Sequence, residues 1–572
     1  MTHYSKTKVL ISFFRRYKFQ IIGLFTVGII SSILEILIPV ALAKYYELVF
    51  DNSSPRAFIF DLLPSYLLET TPRFLLFFII QILAFSLFNY ADVFGRYALS
   101  EIFVYHIRKI LFRNQLKINH SVYDSKGTGR YLLRYSGDLT GIQNYINKGI
   151  FQFFIDLLFL ILTLSVLLAI DFGIFLIVFG FSIISLLFLV ITNKWLNKYS
   201  ITRRDQKSSL LTFVSTHLRS IIVIKSFNQE RIVLKKFLKK AKKILFNGIY
   251  FQAINSAIKT STKSVVYIML WLVLIYVFLI SKKSEGDLLI VILLLVSMLP
   301  VFRRILLVYS IWEIGDISFK KLFDVINSKK ENDDEIEEDT KLTGNRIIVK
   351  NLSFKYEHKS VFHKLNISIP SKSITAISGS GKSTFAKLIL GLYRNYSGVI
   401  KVNKTDIKFV PNKTLRKKVT VISSDWPLYG KNVLQAIANG ANANKKKNVE
   451  ALLEKLQLRW KADLTIDSPI GENGQLLSYN QYVLLCFARA IATNKKIILI
   501  DVFFQNLDPE LRLHLVEMLN EFKLTKTIIV FSNNQIPDNL EIDQSFNLDE
   551  QQTAREWLKE SNSTDNSFTD NA

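Results

Sequence analysis

The chain of 572 residues has a single cysteine, Cys486, so no intramolecular disulfide is possible and oxidative folding plays no part. Acidic residues are also scarce: 47 Asp and Glu stand against 73 Lys and Arg, a formal net charge of +26. Such an excess raises the question of nucleic acid. The basic residues, however, map to loops beside apolar runs, where Lys and Arg mark the cytoplasmic face of a membrane protein, so nucleic acid is not an expected partner. No small-residue cleavage site follows a short apolar core near the N-terminus, where Lys6, Lys8, Arg15 and Arg16 precede the first apolar run. No removable signal peptide is therefore expected. There is no internal repeat. With 49% hydrophobic and 21% charged residues, the chain is too apolar for one soluble domain and too charged to lie wholly in lipid. A membrane part plus a soluble part satisfies both.

Runs long enough to cross ~30 Å of hydrocarbon occur near 20–42, 74–95, 148–169, 172–194, 264–281 and 287–309. The third and fourth are joined only by a tight turn around Asp171. Two long hydrophilic stretches remain, near 96–147 and 195–263. The second carries fifteen Lys and Arg from Lys198 to Lys263 against two acids, Asp205 and Glu230. Both are thus expected in the cytoplasm, with 43–73, the turn at 171 and 282–286 outside. Six spans return the chain to the cytoplasm for its second half. Glu35, Asp156, Arg303 and Arg304 fall inside the runs. An ionised group at mid-bilayer costs ~2.5–3.5 kcal/mol on insertion scales, so each should face protein or water. Mutual pairing or a wet cavity satisfies that; so does contact with a charged substrate. Lys329–Asp339 is an acid-rich linker, and 553–572 reads as a disordered polar tail.

From Ile347 short apolar runs alternate with helical stretches, as in an α/β domain. There Ser378-Gly379-Ser380-Gly381-Lys382-Ser383-Thr384 is the second half of a phosphate-binding loop. Backbone N–H groups of such a loop point at a phosphate, and glycines let the backbone approach. The lysine adds a point charge and the serine hydroxyl ligates Mg²⁺. The run Ile374–Ile377 before it reads as a strand, and Phe385–Leu392 after it as a helix. The full pattern G-x-x-x-x-G-K-[ST] requires glycine at 376, where Ala376 stands.

The residues around this loop resemble the ATP-binding cassette (ABC) proteins. Phe354-Lys355-Tyr356 looks like the aromatic strand that stacks an adenine. Leu477-Ser478-Tyr479-Asn480-Gln481, followed by Ala488-Arg489-Ala490, resembles the LSGGQ signature and its helix. Ile497–Asp501 resembles the Walker B strand, Leu507-Asp508 the D-loop, and Thr527–Phe531 the strand before the switch histidine. In the first half, Val122–Ile142, with Gly127, Gly129, Arg134 and Asp138, is similar to the first intracellular loop of six-span exporters. Ile224–Glu230 resembles the second, and Met298-Leu299-Pro300 fits the sixth span.

The resemblance covers nearly the whole chain, with its elements in family order. It implies a half-transporter: an α-helical six-span transmembrane domain (1–326), an acidic linker (327–344), an α/β P-loop NTPase-type nucleotide-binding domain (345–552) and the tail 553–572. It also implies two such chains per machine, two ATPs between their nucleotide-binding domains and no periplasmic binding protein; the residues before the first span leave no room for a leader-cleaving peptidase domain, so none is expected. ATP is then expected at Tyr356, Ser378, Gly379, Ser380, Gly381, Lys382, Ser383 and Thr384. Mg²⁺ is expected at Ser383 and, through water, Asp501.

The family pattern breaks at the positions that face phosphate. Pro370 to Lys382 is twelve residues, where the family has about fifteen, so the loop is about three residues short and its first glycine is lost. Lys382 and Ser383 remain, which implies weakened rather than abolished binding. Val502 stands where the family places the catalytic glutamate, and loss of a general base typically costs ~10²–10⁴-fold. Asn533 stands at the switch histidine and Ser424 at the Q-loop glutamine. Tyr479 and Asn480 replace two signature glycines, and a tyrosine side chain crowds the backbone's approach to the partner's ATP. The apolar frame is kept while the chemistry is gone.

These departures imply an exporter subunit with weak or absent ATPase of its own, working with a second half-transporter as a heterodimer. In the family each composite site joins one chain's phosphate loop to the other chain's signature. This chain carries both defects, so no pairing yields one fully intact site. The alternative is a non-hydrolysing membrane protein acting as sensor, scaffold or immunity component. Lipid surrounds either, and the exported substrate is not legible. Richness in Lys, Asn, Ile and Phe fits an AT-rich bacterial genome and hence a bacterial inner membrane.

Overall fold

Long apolar runs fold as long helices because in lipid each backbone N–H must bond within its own segment. The computed structural model describes residues 4–50, 70–126, 131, 134–281, 285–328, 330–331, 342–356, 359–423, 426–438, 446–457, 464–502, 504–532 and 536–551. They form two compact units, 1–118 with 125–328 and 119–124 with 329–572.

The first unit is helical: α1 (Lys6–Arg16), α2 (Lys18–Phe50), α3 (Thr71–Gln115), α4 (Phe153–Ile170), α5 (Phe172–Arg219), α6 (Glu230–Tyr276) and α7 (Glu285–Ile326). Two π-helical turns, Arg134–Asp138 and Tyr145–Gln152, lead into α4. Lys18–Tyr46, Thr71–Gln115, Arg134–Ile170 and Asp287–Ile326 are long and apolar enough to cross a membrane. The fourth expected span lies within α5, and the fifth in the end of α6 and the π-helical turn Val277–Ser281 that follows it; their described apolar segments are Phe172–Ile184 and Tyr267–Ile280. Helices α5 and α6 have 48 and 47 residues. At 1.5 Å per residue each runs roughly 70 Å, more than twice the hydrocarbon thickness. Their basic stretch, 198–263, forms the far ends of both.

The turn at Asp171 has a local cause. Its Oδ1 accepts from the N–H groups of Gly173 and Ile174 at 2.8 and 3.3 Å, capping α5. Tyr276 on α6 donates its hydroxyl to the same oxygen at 3.0 Å. The buried core of this unit includes Ile36, Val40, Phe74, Phe159, Leu167 and Met298.

The second unit holds two sheets. One is antiparallel, in the order β2 (Ser360–Ile369), β1 (Ile347–Lys355), β4 (Ser397–Val402), β5 (Thr405–Asp406). The other is parallel, in the order β6 (Val419–Ser423), β7 (Ile497–Asp501), β8 (Thr527–Phe531), β3 (Ile374–Ser378), β9 (Gln544–Asn547). Strands β6 and β8 are buried along their whole length, as parallel strands covered on both faces must be. Helix α8 (Lys382–Ile389) follows β3, α9 (Tyr479–Ala492) precedes β7, and α10 (Pro509–Lys523) precedes β8. The helix after the phosphate loop begins at Lys382, three residues before its apolar part, because the loop itself supplies its cap. Most of the acidic linker (332–341) and the tail 552–572 lie outside the described residues.

Candidate functional site

The C-terminal edge of β3 carries the phosphate loop. Gly379 and Gly381 have φ of +93° and +92°, a left-handed backbone that only glycine adopts without strain. Gly381 is the N-cap residue of α8, so the helix N-terminus opens onto the loop. An N-terminus there presents unsatisfied N–H groups and the positive end of the helix dipole. Residues Ser378 to Thr384 line a cavity of about 680 Å³, together with Asn547 and Asp549.

Those last two residues were not foreseen. β9 lies beside β3 in register up to Ser378 opposite Asn547, and the Leu548 N–H bonds to Ser378 O at 2.9 Å. The chain then turns so that Asp549 Oδ2 accepts from the Ser380 N–H at 3.1 Å. A carboxylate oxygen thus engages a backbone donor of the phosphate cradle. A methyl group added to Gly379 would sit 2.6 Å from Asn547 Oδ1 and 2.9 Å from Asp549 Oδ2, so the loop and the end of β9 are tightly apposed. Lys382 Nζ bonds to Gly379 O at 2.8 Å, folding the lysine back over its own loop.

Ser383 Oγ lies 3.4 Å from Asp501 Oδ2 at the end of β7, which brings together the two residues expected to hold Mg²⁺. A hydroxyl and a carboxylate oxygen suit a hard cation that keeps several waters, so the donor set fits Mg²⁺. Tyr356 follows β1 and is not among the residues lining the loop cavity. Its hydroxyl lies 3.1 Å from Thr384 Oγ1, and its ring packs edge-on against Phe354 and Tyr393 at 5.0 and 5.5 Å.

Val502 is 6% exposed and packs with Ile500, Phe504 and Leu507 in the larger apolar cluster of this unit. Ser424 and Asn533 lie outside the described residues. In the signature, Ser478 caps α9: its Oγ accepts from the Gln481 N–H at 3.2 Å, while Gln481 Oε1 accepts from the Ser478 N–H at 3.0 Å. Leu477 and Tyr479 pack against the apolar core. Asn480 Oδ1 accepts from the Asp508 N–H at 3.3 Å, tying the signature to the D-loop.

Of the residues expected in the first intracellular loop, Gly127 and Gly129 lie outside the described residues, while Arg134 and Asp138 form an ion pair. His120, in the segment 119–124, stacks edge-on against Tyr393 of the second unit at 5.8 Å. Among the charges inside the spans, Arg304 and Asp156 pair, with oxygen–nitrogen distances of 2.6–3.0 Å. Glu35, Arg303 and Arg304 line a polar cavity.

An α-helical membrane unit followed by an α/β unit with a phosphate loop defines a membrane transport protein driven by nucleotide. Residues 21–306 match the ABC transporter transmembrane region and 362–503 match the ABC transporter domain. The chain therefore belongs to the ABC transporter family: it is an integral membrane protein of the exporter type, and ATP is the ligand that the family of its second domain implies. It is 25% identical over 538 residues to the "multidrug resistance-like ATP-binding protein MdlB" of Buchnera aphidicola subsp. Baizongia pistaciae, covering 90% of this chain and 88% of that protein. It is 24% identical to the "ATP-dependent lipid A-core flippase" of Haemophilus influenzae over 75% of each chain. Its fold is that of a bacterial Atm1-family ABC exporter solved with ATP bound, with a TM-score of 0.80, 17% identity, and coverage of 95% and 97% of the two chains.

Proposed function

We propose that the chain is an exporter half-subunit that holds ATP without hydrolysing it at a useful rate and depends on a second, catalytically competent half-transporter. The observation that carries this reading is the contrast at the end of β7. Asp501 keeps its place beside Ser383, while Val502, next in sequence, is a hydrocarbon side chain buried in the core. Valine can neither accept a proton nor orient water. ATP binding alone still does mechanical work if the closed state binds nucleotide more tightly than the open one. Closure would reach the spans through the loops around Tyr123–Asp138 and His217–Glu230. The nucleotide-binding unit works in the cytoplasm, and a bacterial inner membrane is the expected site.

One observation favours a second reading, a membrane sensor, scaffold or immunity component that binds no ATP. The Asp549 carboxylate sits in the cradle where a phosphate must come, and like charges disfavour the exchange. ATP turnover by the purified chain tests the leading reading. Negligible turnover is expected, and Val502→Glu alone does not restore it, because Ser424 and Asn533 also depart from the family. Robust turnover abolished by Lys382→Ala overturns it.

A further inference from the structure

The membrane unit encloses a cavity of about 700 Å³ walled by α2, α3, α4 with its preceding π turn, and α7. Two ion pairs are built into the wall. Arg96 grips Asp92, one turn before it on α3, through three bonds of 2.8–3.1 Å, and both residues are buried. Arg304 holds Asp156 through three bonds of 2.6–3.0 Å, and Gln152 adds another to Asp156 at 2.9 Å. These charges cancel. Glu35, Lys148 and Arg303 also line the cavity, and none of them has a hydrogen bond or ion pair among the described residues. The uncompensated charge is therefore positive.

A second, independent observation points to a ligand. Asn147 is 2% exposed and lines the same cavity, and its Oδ1 has no hydrogen-bond partner among the described residues. A buried acceptor with nothing to accept is unfavourable, and it is the kind of group that a ligand N–H or O–H satisfies. The π-helical turn Tyr145–Gln152 places Asn147, Lys148 and Gln152 together on the wall. Such turns recur at functional sites because they break the helix register.

We propose that this cavity binds a substrate bearing an anionic group, carboxylate or phosphate, together with a hydrogen-bond donor. Lys148 and Arg303 meet the anion; Asn147 Oδ1 and Glu35 accept from the donor end. A cationic amphiphile would satisfy Glu35 and leave two cations facing it. The proposal names the substrate class of the exporter reading and rests on it for the step of transport, though not for binding. The chemistry belongs equally to an anionic lipid head group and to a soluble acidic solute. Beside the cavity, further turns of α2 and α4 line an apolar pocket of about 290 Å³, with Ile36, Leu37, Val40, Leu162 and Val166 in its wall, where a lipid chain could lie.

The test uses the full chain in phosphatidylcholine nanodiscs, titrated with three fluorescent probes: dansyl-glutamate, dansyl-phosphatidylethanolamine and dansylcholine. At least one anionic probe is expected to bind about tenfold more tightly than dansylcholine, a preference that the double variant Lys148→Ala/Arg303→Ala lowers by about tenfold. Asn147→Leu is expected to weaken anion binding several-fold. Binding of dansyl-glutamate assigns a soluble anion, and binding of the lipid probe alone assigns a head group. A preference for dansylcholine, no anion binding, or an unchanged affinity in the double variant overturns the proposal. Among the described residues Lys148 and Arg303 make no internal bonds, and an unchanged thermal unfolding midpoint in the same discs shows that each variant is folded. Anion binding without ATP binding keeps the cavity and sinks the exporter reading; ATP binding without anion selectivity does the reverse.

Discussion

At the phosphate loop, the end of a neighbouring strand reaches into the cradle. β3 runs directly into Ser378, β9 pairs with it to the end, and Asp549 reaches the Ser380 N–H. Replacing Asp549 by Asn removes the charge and keeps the hydrogen-bond acceptor. We expect Asp549→Asn to raise nucleotide affinity by about tenfold, as isothermal titration would show, since relief of one like-charge contact near a surface is of that order. A loss of affinity would mean that the carboxylate organises the loop instead. Cys486 offers a check on the core beneath. Burial pushes its thiol up to about 11, so little thiolate exists at pH 8. Iodoacetamide is expected to label it slowly in the folded chain and rapidly in denaturant.

Among the elements, β3 is anchored at its start as well as its end. Asp543 accepts from the Ile374 N–H at 2.8 Å and lies 2.8 Å from Lys523 Nζ on α10. Burial opposes ionisation of Asp543, yet Lys523 and the Ile374 N–H together hold its carboxyl below the usual range. A carboxyl lowered on folding contributes stability that is present in full above about pH 4 and lost as pH falls through the folded value. The acid unfolding limb of the wild type should therefore be steeper than that of Asp543→Asn, whose Tm is lower at pH 7. In the membrane unit, Arg304→Ala leaves Asp156, 2% exposed, without its cation. Breaking a buried pair costs about 3–5 kcal/mol, and the half-exposed arginine lowers that to about 2 kcal/mol. A thermal unfolding midpoint that Asp156→Asn partly restores would confirm the cause.

Much of this was legible in the chain. Four of the spans and the phosphate loop are contiguous in sequence, so long apolar runs and spacing expose them, whereas Ile497–Asp501 was legible only through the family resemblance. The Ser383–Asp501 pair follows from two motifs of known partnership. Asp549 and Asn547 were not legible, because they enter the site only through the order of strands in the sheet, β8-β3-β9. Asn147 and Lys148 were missed because they sit at the edge of an apolar run, and only the π turn carries them to the cavity. Asp92 and Arg96 did carry a signal, the four-residue spacing of a helical ion pair.

For the molecule as a whole, the two units divide the work of an exporter. One is a membrane unit with a polar cavity, the other an ATP-binding unit whose cradle is retained beside a buried valine. The central claim is that nucleotide is held without being consumed. Nucleotide affinity of the purified chain, measured with and without Mg²⁺ and with Lys382→Ala as control, tests it most directly. Micromolar binding that depends on Lys382, is strengthened by Mg²⁺ and is accompanied by no turnover is expected. No binding at all, or binding followed by lysine-dependent hydrolysis, would contradict it.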